Sequence, residues 1–351
     1  MPQSRFRCKC SSPGATARSR NTGTPSSSQS STAPECLPNF EPYQRNPAIR
    51  TCFRYNWNSV KLSRRRRVHR AATFGRMIPF LHLGPLTIPT YGLMVACAML
   101  AAYFVLRADF ARRGFEKGSE SSLAELFIAV PCVCGIVGAR LYHVLESPRE
   151  FFADPWGQLF SRYGLAWFGG LIAGAAAWIL LARRYKIPLL NSLDAAAPAA
   201  ALGYGVGRLG CLLSGDGDYG KPTSWHWPWG MSFPNGLVPT TQTCVARGWP
   251  ADCRVYPTPI YELIAALVIT WALWCLGRRQ LRKQPGKSNH VLAAGSVFAL
   301  YLILTGVARF FVEFIRINPR SFLGMTNAQT ASLLSIAAGF ALLLAVRRRF
   351  P

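Results

Sequence analysis

Arg208 and Arg309 lie inside stretches apolar enough to cross a membrane, and Glu313 follows Arg309 by one helical turn. A guanidinium in hydrocarbon costs about 3 kcal/mol, so ionisable groups at that depth usually face a polar cavity and mark a functional site. Arg140 lies in a third apolar stretch. Guanidinium stays charged and grips phosphate oxygens two at a time. Three such groups at one depth therefore suit a phosphodiester, and in a membrane the abundant phosphodiester is a phospholipid headgroup. Blander readings stand beside this one. Arg140 and Arg208 sit near helix ends, where a long side chain can snorkel to the interface. Arg309 and Glu313 have the spacing of a structural ion pair. His143 shares a helical face with Arg140 and is more often a satisfied interfacial histidine than a base.

The elements that must position these groups are read from hydropathy. The 351 residues are 50% hydrophobic and 16% charged, with a formal net charge of +25. From residue 88 onward, seven apolar runs are long enough to span hydrocarbon, near 88–106, 123–145, 163–182, 191–213, 259–277, 293–315 and 328–346. The expected fold is an all-α polytopic membrane protein with seven transmembrane helices. Pro131, Pro198, Gly170 and Gly174 inside these runs are acceptable where packed neighbours satisfy the freed backbone.

Lysine and arginine set the orientation. The loops after the first, third and fifth spans and the C-terminal tail hold fifteen, against seven in the opposite loops. The N-terminus of the membrane domain is therefore expected outside and the C-terminus in the cytoplasm. On that topology Tyr91, Arg140, His143, Gly169, Gly170, Arg208, Tyr261, Glu262, Arg309 and Glu313 all fall in the outer half. A periplasmic loop is expected over 214–258. Asp194 falls at the inner end and reads as a helix cap or a partner for a cytoplasmic cation.

Residues 1–76 break this pattern. They carry fifteen Lys and Arg against Glu35 and Glu41, are rich in Ser and Pro, and show no periodic apolar face. A basic disordered extension on the outward side opposes the positive-inside bias. The expectation is that translation starts at Met77 and that 77–351 is the membrane domain; a genuine basic tail touching nucleic acid or anionic lipid is the alternative.

Gly205, Gly207 and Gly210 have dinucleotide-loop spacing, but no strand precedes them and the context is a membrane helix. Such small residues favour close helix approach or backbone access to a phosphate. The eleven cysteines show no zinc-type pairing with histidine, so no metal is expected. Cys244 and Cys253 share the outer loop, where an oxidising compartment permits a disulfide.

Six segments, IPTYGLM at 88–94, GARLYHVL at 138–145, LAWFGGLIAG at 165–174, GRLGCLLSGDGDYG at 207–220, YPTPIYE at 256–262 and RFFVEFIR at 309–316, come in an order and spacing that resemble bacterial prolipoprotein diacylglyceryl transferases. The likeness extends over roughly 78–346. It implies a seven-span enzyme of the bacterial inner membrane with a periplasmic-side active site and no cofactor. It also implies transfer of the diacylglyceryl group of phosphatidylglycerol to the lipobox cysteine of a prolipoprotein signal peptide, forming a thioether and releasing glycerol phosphate. By the same likeness Arg208, Arg309 and Glu313 are the expected catalytic set. Arg208, Arg140, Tyr91, Gly169, Gly170 and Tyr261 are the expected substrate-binding set. The protein is membrane-embedded and no nucleic-acid partner is implied.

Two departures concern the base. Phe168 stands where the family usually has a histidine and cannot take a proton. Cys211 replaces an asparagine of the signature, and Asp216, Gly217 and Asp218 lie where one glutamate is usual. His143, Asp216 and Asp218 are the candidate bases, unless the arginine field alone lowers the thiol pKa. An inactive lipid-binding paralogue, or an anion or lipid transporter, is the alternative function; a transporter would favour inverted repeats and broken helices at the midplane, and no self-similarity between the halves is visible.

Overall fold

In the computed structural model, residues 77–116, 122–160, 166–281, 292–321 and 324–349 are described. The basic extension at 1–76 lies outside them. Each of the seven apolar runs is helical: α1 (Thr90–Arg112), α2 (Leu123–Glu146), α5 (Trp167–Arg184), α6 (Leu189–Ser214), α8 (Thr258–Leu281), α9 (Ser296–Val312) and α10 (Asn327–Arg349). Three short helices join them, α3 (Pro148–Ala153), α4 (Pro155–Phe160) and α7 (Thr240–Ala246). Five helices, α1, α2, α6, α8 and α10, are long and apolar enough to cross a membrane, and α9 is a shorter apolar helix. The chain is thus a mostly helical, polytopic membrane protein.

A feature not expected from sequence precedes α1. Phe80–Leu83 (β1) and Leu86–Pro89 (β2) pair antiparallel, with Phe80 opposite Pro89. Gly84, at φ +61°, supplies the left-handed residue that so tight a turn needs. The all-α expectation is corrected to that extent. Two four-residue strands carry too little alternation to stand out beside the apolar run that follows.

The helix α6 is central and packs against α1, α8 and α9, while α2 packs chiefly on α5 and α9 on α10. Its small residues explain how. Ala195, Ala197, Ala199 and Ala201 are buried, and a methyl built on Gly205 would meet Ala266 Cβ of α8 at 2.9 Å. Without a hydrophobic drive between helices in lipid, such close backbone approach is what holds them together. Gly205 and Gly210 therefore serve helix packing, whereas a methyl on Gly207 would meet nothing.

The seam between α2 and α5 is tighter still. A methyl on Gly169 would lie 2.3 Å from Gly138 O and 2.3 Å from Tyr142 Cβ. Backbone cannot yield there. Gly169→Ala is expected to cost about 1–3 kcal/mol and to lower the melting temperature in detergent by several degrees. An unchanged melting curve would contradict this packing.

At the end of the bundle away from the Arg208 cluster, Asp194 is fully buried and does act as a cap, but for another helix. Its carboxylate accepts from Gly295 N at 2.7 Å and Phe298 N at 2.8 Å, at the start of α9. Gln280 of α8 donates to the same carboxylate at 2.7 Å and accepts from Arg113, just past α1, at 3.1 Å. One polar chain therefore fixes α1, α6, α8 and α9 relative to one another.

The segment between α6 and α8 is a folded cap rather than a loose loop. Tyr219, Met231, Phe233, Cys244, Cys253 and Val255 form a buried cluster, Cys244 and Cys253 are disulfide-bonded, and Met231 bridges Val255 while Gly220 bridges Arg316. The helix α10 opens with a reciprocal cap: Gln329 N donates to Thr326 Oγ1 at 3.2 Å and Thr326 N donates to Gln329 Oε1 at 3.1 Å.

Candidate active site

Where α6 meets this cap, three helices deliver charge to one place. Tyr204, Arg208 and Cys211 follow at i, i+4 and i+7 on one stripe of α6, and Arg309, Glu313 and Arg316 repeat that spacing from α9 into the turn beyond it. Between the two stripes stands Glu262, in the first turn of α8 and 3% exposed.

Glu262 is the hub. Arg309 Nη1 reaches its Oε1 at 2.5 Å and Arg208 Nε lies 3.1 Å from its Oε2, with Arg316 Nη1 at 3.7 Å. Tyr204 OH donates to Oε1 at 2.8 Å and accepts from Arg208 Nη2 at 3.0 Å. A second carboxylate, Asp218, is clasped by both Arg208 Nη1 and Arg316 Nη2. The third, Glu313, lies 3.0 Å from Arg309 Nη2 and accepts from Asn318 Nδ2 at 2.5 Å. Three guanidinium groups thus share three carboxylates. Buried charges need such pairing, because either sign alone would carry a desolvation cost of several kcal/mol. No arginine has a private partner, so one carboxylate can move without stranding a cation. Asp218 is the candidate, since its side chain is 31% exposed.

The two aspartates of the glycine-rich turn differ. Burial pushes the Asp216 carboxyl up from the ordinary range. Burial acts on Asp218 too, but the Arg316 and Arg208 guanidiniums outweigh it and hold Asp218 below that range. Asp218 N donates to Asp216 Oδ1 at 3.1 Å, and Thr258 Oγ1 donates to Asp218 O at 2.7 Å, so the turn is pinned from both sides. Cys211 Sγ and one oxygen each of Asp216 and Asp218 lie within 4.8 Å of one another. With two guanidiniums already on Asp218, that trio suits an ion-paired carboxylate better than a cation.

The expected residues do not all meet. Arg208, Arg309, Glu313 and Asp218 do, and Asp216 adjoins them. Tyr91 lies against Gly210, whose added methyl would meet its Cδ2 at 3.3 Å, within a turn of Arg208. Tyr261 adjoins Glu262, but its hydroxyl donates to Trp229 O at 2.5 Å and so fastens the cap to α8. Arg140 lies on α2, which packs on α5 and α1, and its Nε donates to Leu159 O at 3.0 Å. His143, on the same helix, has no hydrogen bond or ion pair to the cluster among the described residues. Gly169 and Gly170 face α2, where a methyl on Gly170 would lie 3.2 Å from Gly135 O. At this seam α2 and α5 turn their small residues toward each other.

Three members of the cluster were missed. Arg316 was counted as a loop cation, although it continues the Arg309–Glu313 stripe at i+7. Glu262 falls at the right depth but has no role assigned to it, its neighbour Tyr261 being expected to bind substrate. Tyr204, one turn before Arg208, was hidden among the glycines.

A polytopic helical protein with a shared arginine–carboxylate cluster where its bundle meets a cap belongs to the membrane proteins equipped to handle an anionic group. The comparisons narrow that class. A family profile described as prolipoprotein diacylglyceryl transferase matches residues 79–345. The phosphatidylglycerol–prolipoprotein diacylglyceryl transferase of Paenarthrobacter aurescens is 32% identical over 77% of this chain and 81% of its own length. The enzymes of the same name from Clostridium tetani and Cutibacterium acnes are 30% and 29% identical, over 72% and 78% of this chain and 91% and 85% of theirs. The chain belongs to the prolipoprotein diacylglyceryl transferase family, and is with it a membrane transferase.

Proposed function

We propose that this chain transfers the diacylglyceryl group of phosphatidylglycerol to the lipobox cysteine of prolipoprotein signal peptides. The setting is the bacterial inner membrane, with seven spans, the start of α1 outside and the C-terminus in the cytoplasm. The observation that carries the reading is the cluster itself: Arg208 and Arg309 come from separate helices, share Glu262, and keep 16% and 24% of their side chains exposed.

In this mechanism the lipid phosphate takes the place of the Asp218 carboxylate on Arg208, and Arg309 completes the grip. The cysteine sulfur attacks the glyceryl carbon, the carbon–oxygen bond breaks, and the electron pair leaves on glycerol phosphate. The phosphate gains charge in that step, and preorganised guanidiniums stabilise it. Glu262, Glu313 and Tyr204 hold the arginines in position. Tyr91 lies at the mouth between α1 and α6.

The thiol proton goes to Asp216. Asp218 is the weaker base, being bound by two arginines, and Asp216 adjoins them without either. A general base works best with a pKa near the operating pH, and burial moves Asp216 in that direction. Asp216→Asn is expected to slow lipidation by about 10²-fold. In the parent, activity is expected to fall with decreasing pH through a limb above the usual aspartate pKa of about 3.9, and that limb should vanish in the variant. A pH–rate profile checks both; an unchanged limb in Asp216→Asn would assign the proton elsewhere.

Complementation of a transferase-depleted bacterium, scored by lipidation of a reporter lipoprotein, tests the function as a whole. Rescue by the parent chain is expected. Insertion into the membrane without rescue would favour an inactive lipid-binding paralogue.

A further inference from the structure

Beyond the cluster, on the side away from α6, lies a cavity of about 470 Å³ that touches the site through two residues only. Its rim carries Lys221, Arg247 and Arg320, all exposed, and its floor is Glu313, Arg316, Thr326 and Gln329, all buried. Arg316 joins the two compartments. Its side chain is 6% exposed and its Nη2 is held by Asp218, while Nε and Nη1 make no hydrogen bond and lie 3.6 Å from Glu313 and 3.7 Å from Glu262. Those distances are too long for hydrogen bonds, so an anion entering the cavity can compete for both nitrogens.

The rim cations are also only partly engaged. Lys221 Nζ donates to Phe314 O at 2.9 Å and Arg247 Nη2 donates to Ile317 O at 3.2 Å, which drapes both over the cavity wall. Among the described residues, none of Lys221, Arg247 and Arg320 is ion-paired with a carboxylate. The capped start of α10 contributes Thr326 and Gln329 to the floor, adding the positive end of a 23-residue helix dipole. Pro222, Trp249 and Ile317 complete the lining beside the cations.

We propose that this cavity binds a small, soluble phosphate monoester, and that its occupant is the glycerol phosphate released by the transfer. The assignment rests on the function proposed above. When the carbon–oxygen bond breaks, the phosphate loses its tie to the lipid and gains negative charge. The diester is held by the largely buried cluster; the monoester passes by way of Arg316 to the exposed, more cationic rim and leaves toward water. Asp218 thereby returns to Arg208, and the cluster is ready for the next lipid.

The test uses the full chain, purified in detergent without phosphatidylglycerol, and two probes, glycerol phosphate and inorganic phosphate, titrated by calorimetry. Both are expected to bind, more weakly as salt rises. The triple variant Lys221→Gln, Arg247→Gln, Arg320→Gln changes only exposed rim residues and is expected to weaken that binding at least tenfold. It should likewise raise the concentration of added glycerol phosphate that half-inhibits lipidation. If the parent binds neither probe, or the variant binds both as the parent does, the cavity is not a product site, whatever reporter lipidation says of the transferase function. If the variant instead loses affinity for phosphatidylglycerol in nanodiscs and keeps affinity for glycerol phosphate, the cavity holds a lipid headgroup and the proposal is overturned. Should the parent bind both probes but fail to lipidate the reporter, the role as a product site falls with the transferase function.

Discussion

Arg208→Lys is expected to reduce lipidation of a reporter by about 10²–10³-fold with little change in membrane insertion. Loss of one preorganised donor to a developing anion costs that much in other enzymes, and this arginine does more than supply one donor. Its three nitrogens address three different groups: Nη1 the Asp218 carboxylate, Nε the Glu262 carboxylate at 3.1 Å and Nη2 the Tyr204 hydroxyl at 3.0 Å. A lysine ammonium is a point charge on a flexible stem and cannot hold that fork. Charge is conserved, so Glu262 and Asp218 keep a cation nearby and the fold should survive. The check is lipidation per molecule of inserted protein. Activity within threefold of the parent would show that charge alone suffices, and that the planar geometry has no part in holding phosphate.

Glu262→Ala is expected to be the more damaging change to stability. It removes the carboxylate shared by Arg208 and Arg309 and approached by Arg316, leaving like charges face to face in a buried setting. Breaking a buried pair from one side costs about 3–5 kcal/mol, which corresponds to a melting shift on the order of 10 °C. Removing an arginine as well should recover part of the loss, because the double change Glu262→Ala, Arg309→Met strands one cation fewer. That recovery, read as a coupling in a double-mutant cycle, should appear in melting temperature and not in lipidation. Additive losses would mean that Glu262 and Arg309 do not depend on each other.

Much of the fold was legible in the chain. Every apolar run became a helix, since hydropathy and length report the one requirement that the bilayer imposes, internally satisfied backbone. Cys244 and Cys253 found each other because nine residues of a compact cap leave them little alternative. What hydropathy could not give was rotation about each helix axis. Arg140 and Arg208 lie at the same expected depth, but small-residue seams set the rotation: Gly138 against Gly169 turns α2 toward α5, and Gly205 against Ala266 turns α6 toward α8. Arg316 counts toward the outer-loop cations, and Glu262 falls at the right depth with no sequence signal of the arginines it pairs with. The spacing Arg309, Glu313, Arg316 held the better clue, because one stripe of alternating charge continuing past a span end implies a partner stripe opposite. The hairpin at 80–89 escaped notice for a different reason: two four-residue strands carry too little pattern to separate from a helix lead-in.

The most direct test of a lipid phosphate held between Arg208 and Arg309 is a reconstituted reaction. Purified protein in vesicles of phosphatidylglycerol and phosphatidylcholine is mixed with a synthetic lipobox peptide, and the products are followed by mass spectrometry. The expected result is a peptide bearing one diacylglyceryl thioether for each glycerol phosphate released, with neither product formed by Arg208→Ala or Arg309→Ala. Equal product from those variants, or no product from the parent in phosphatidylglycerol vesicles, would contradict it.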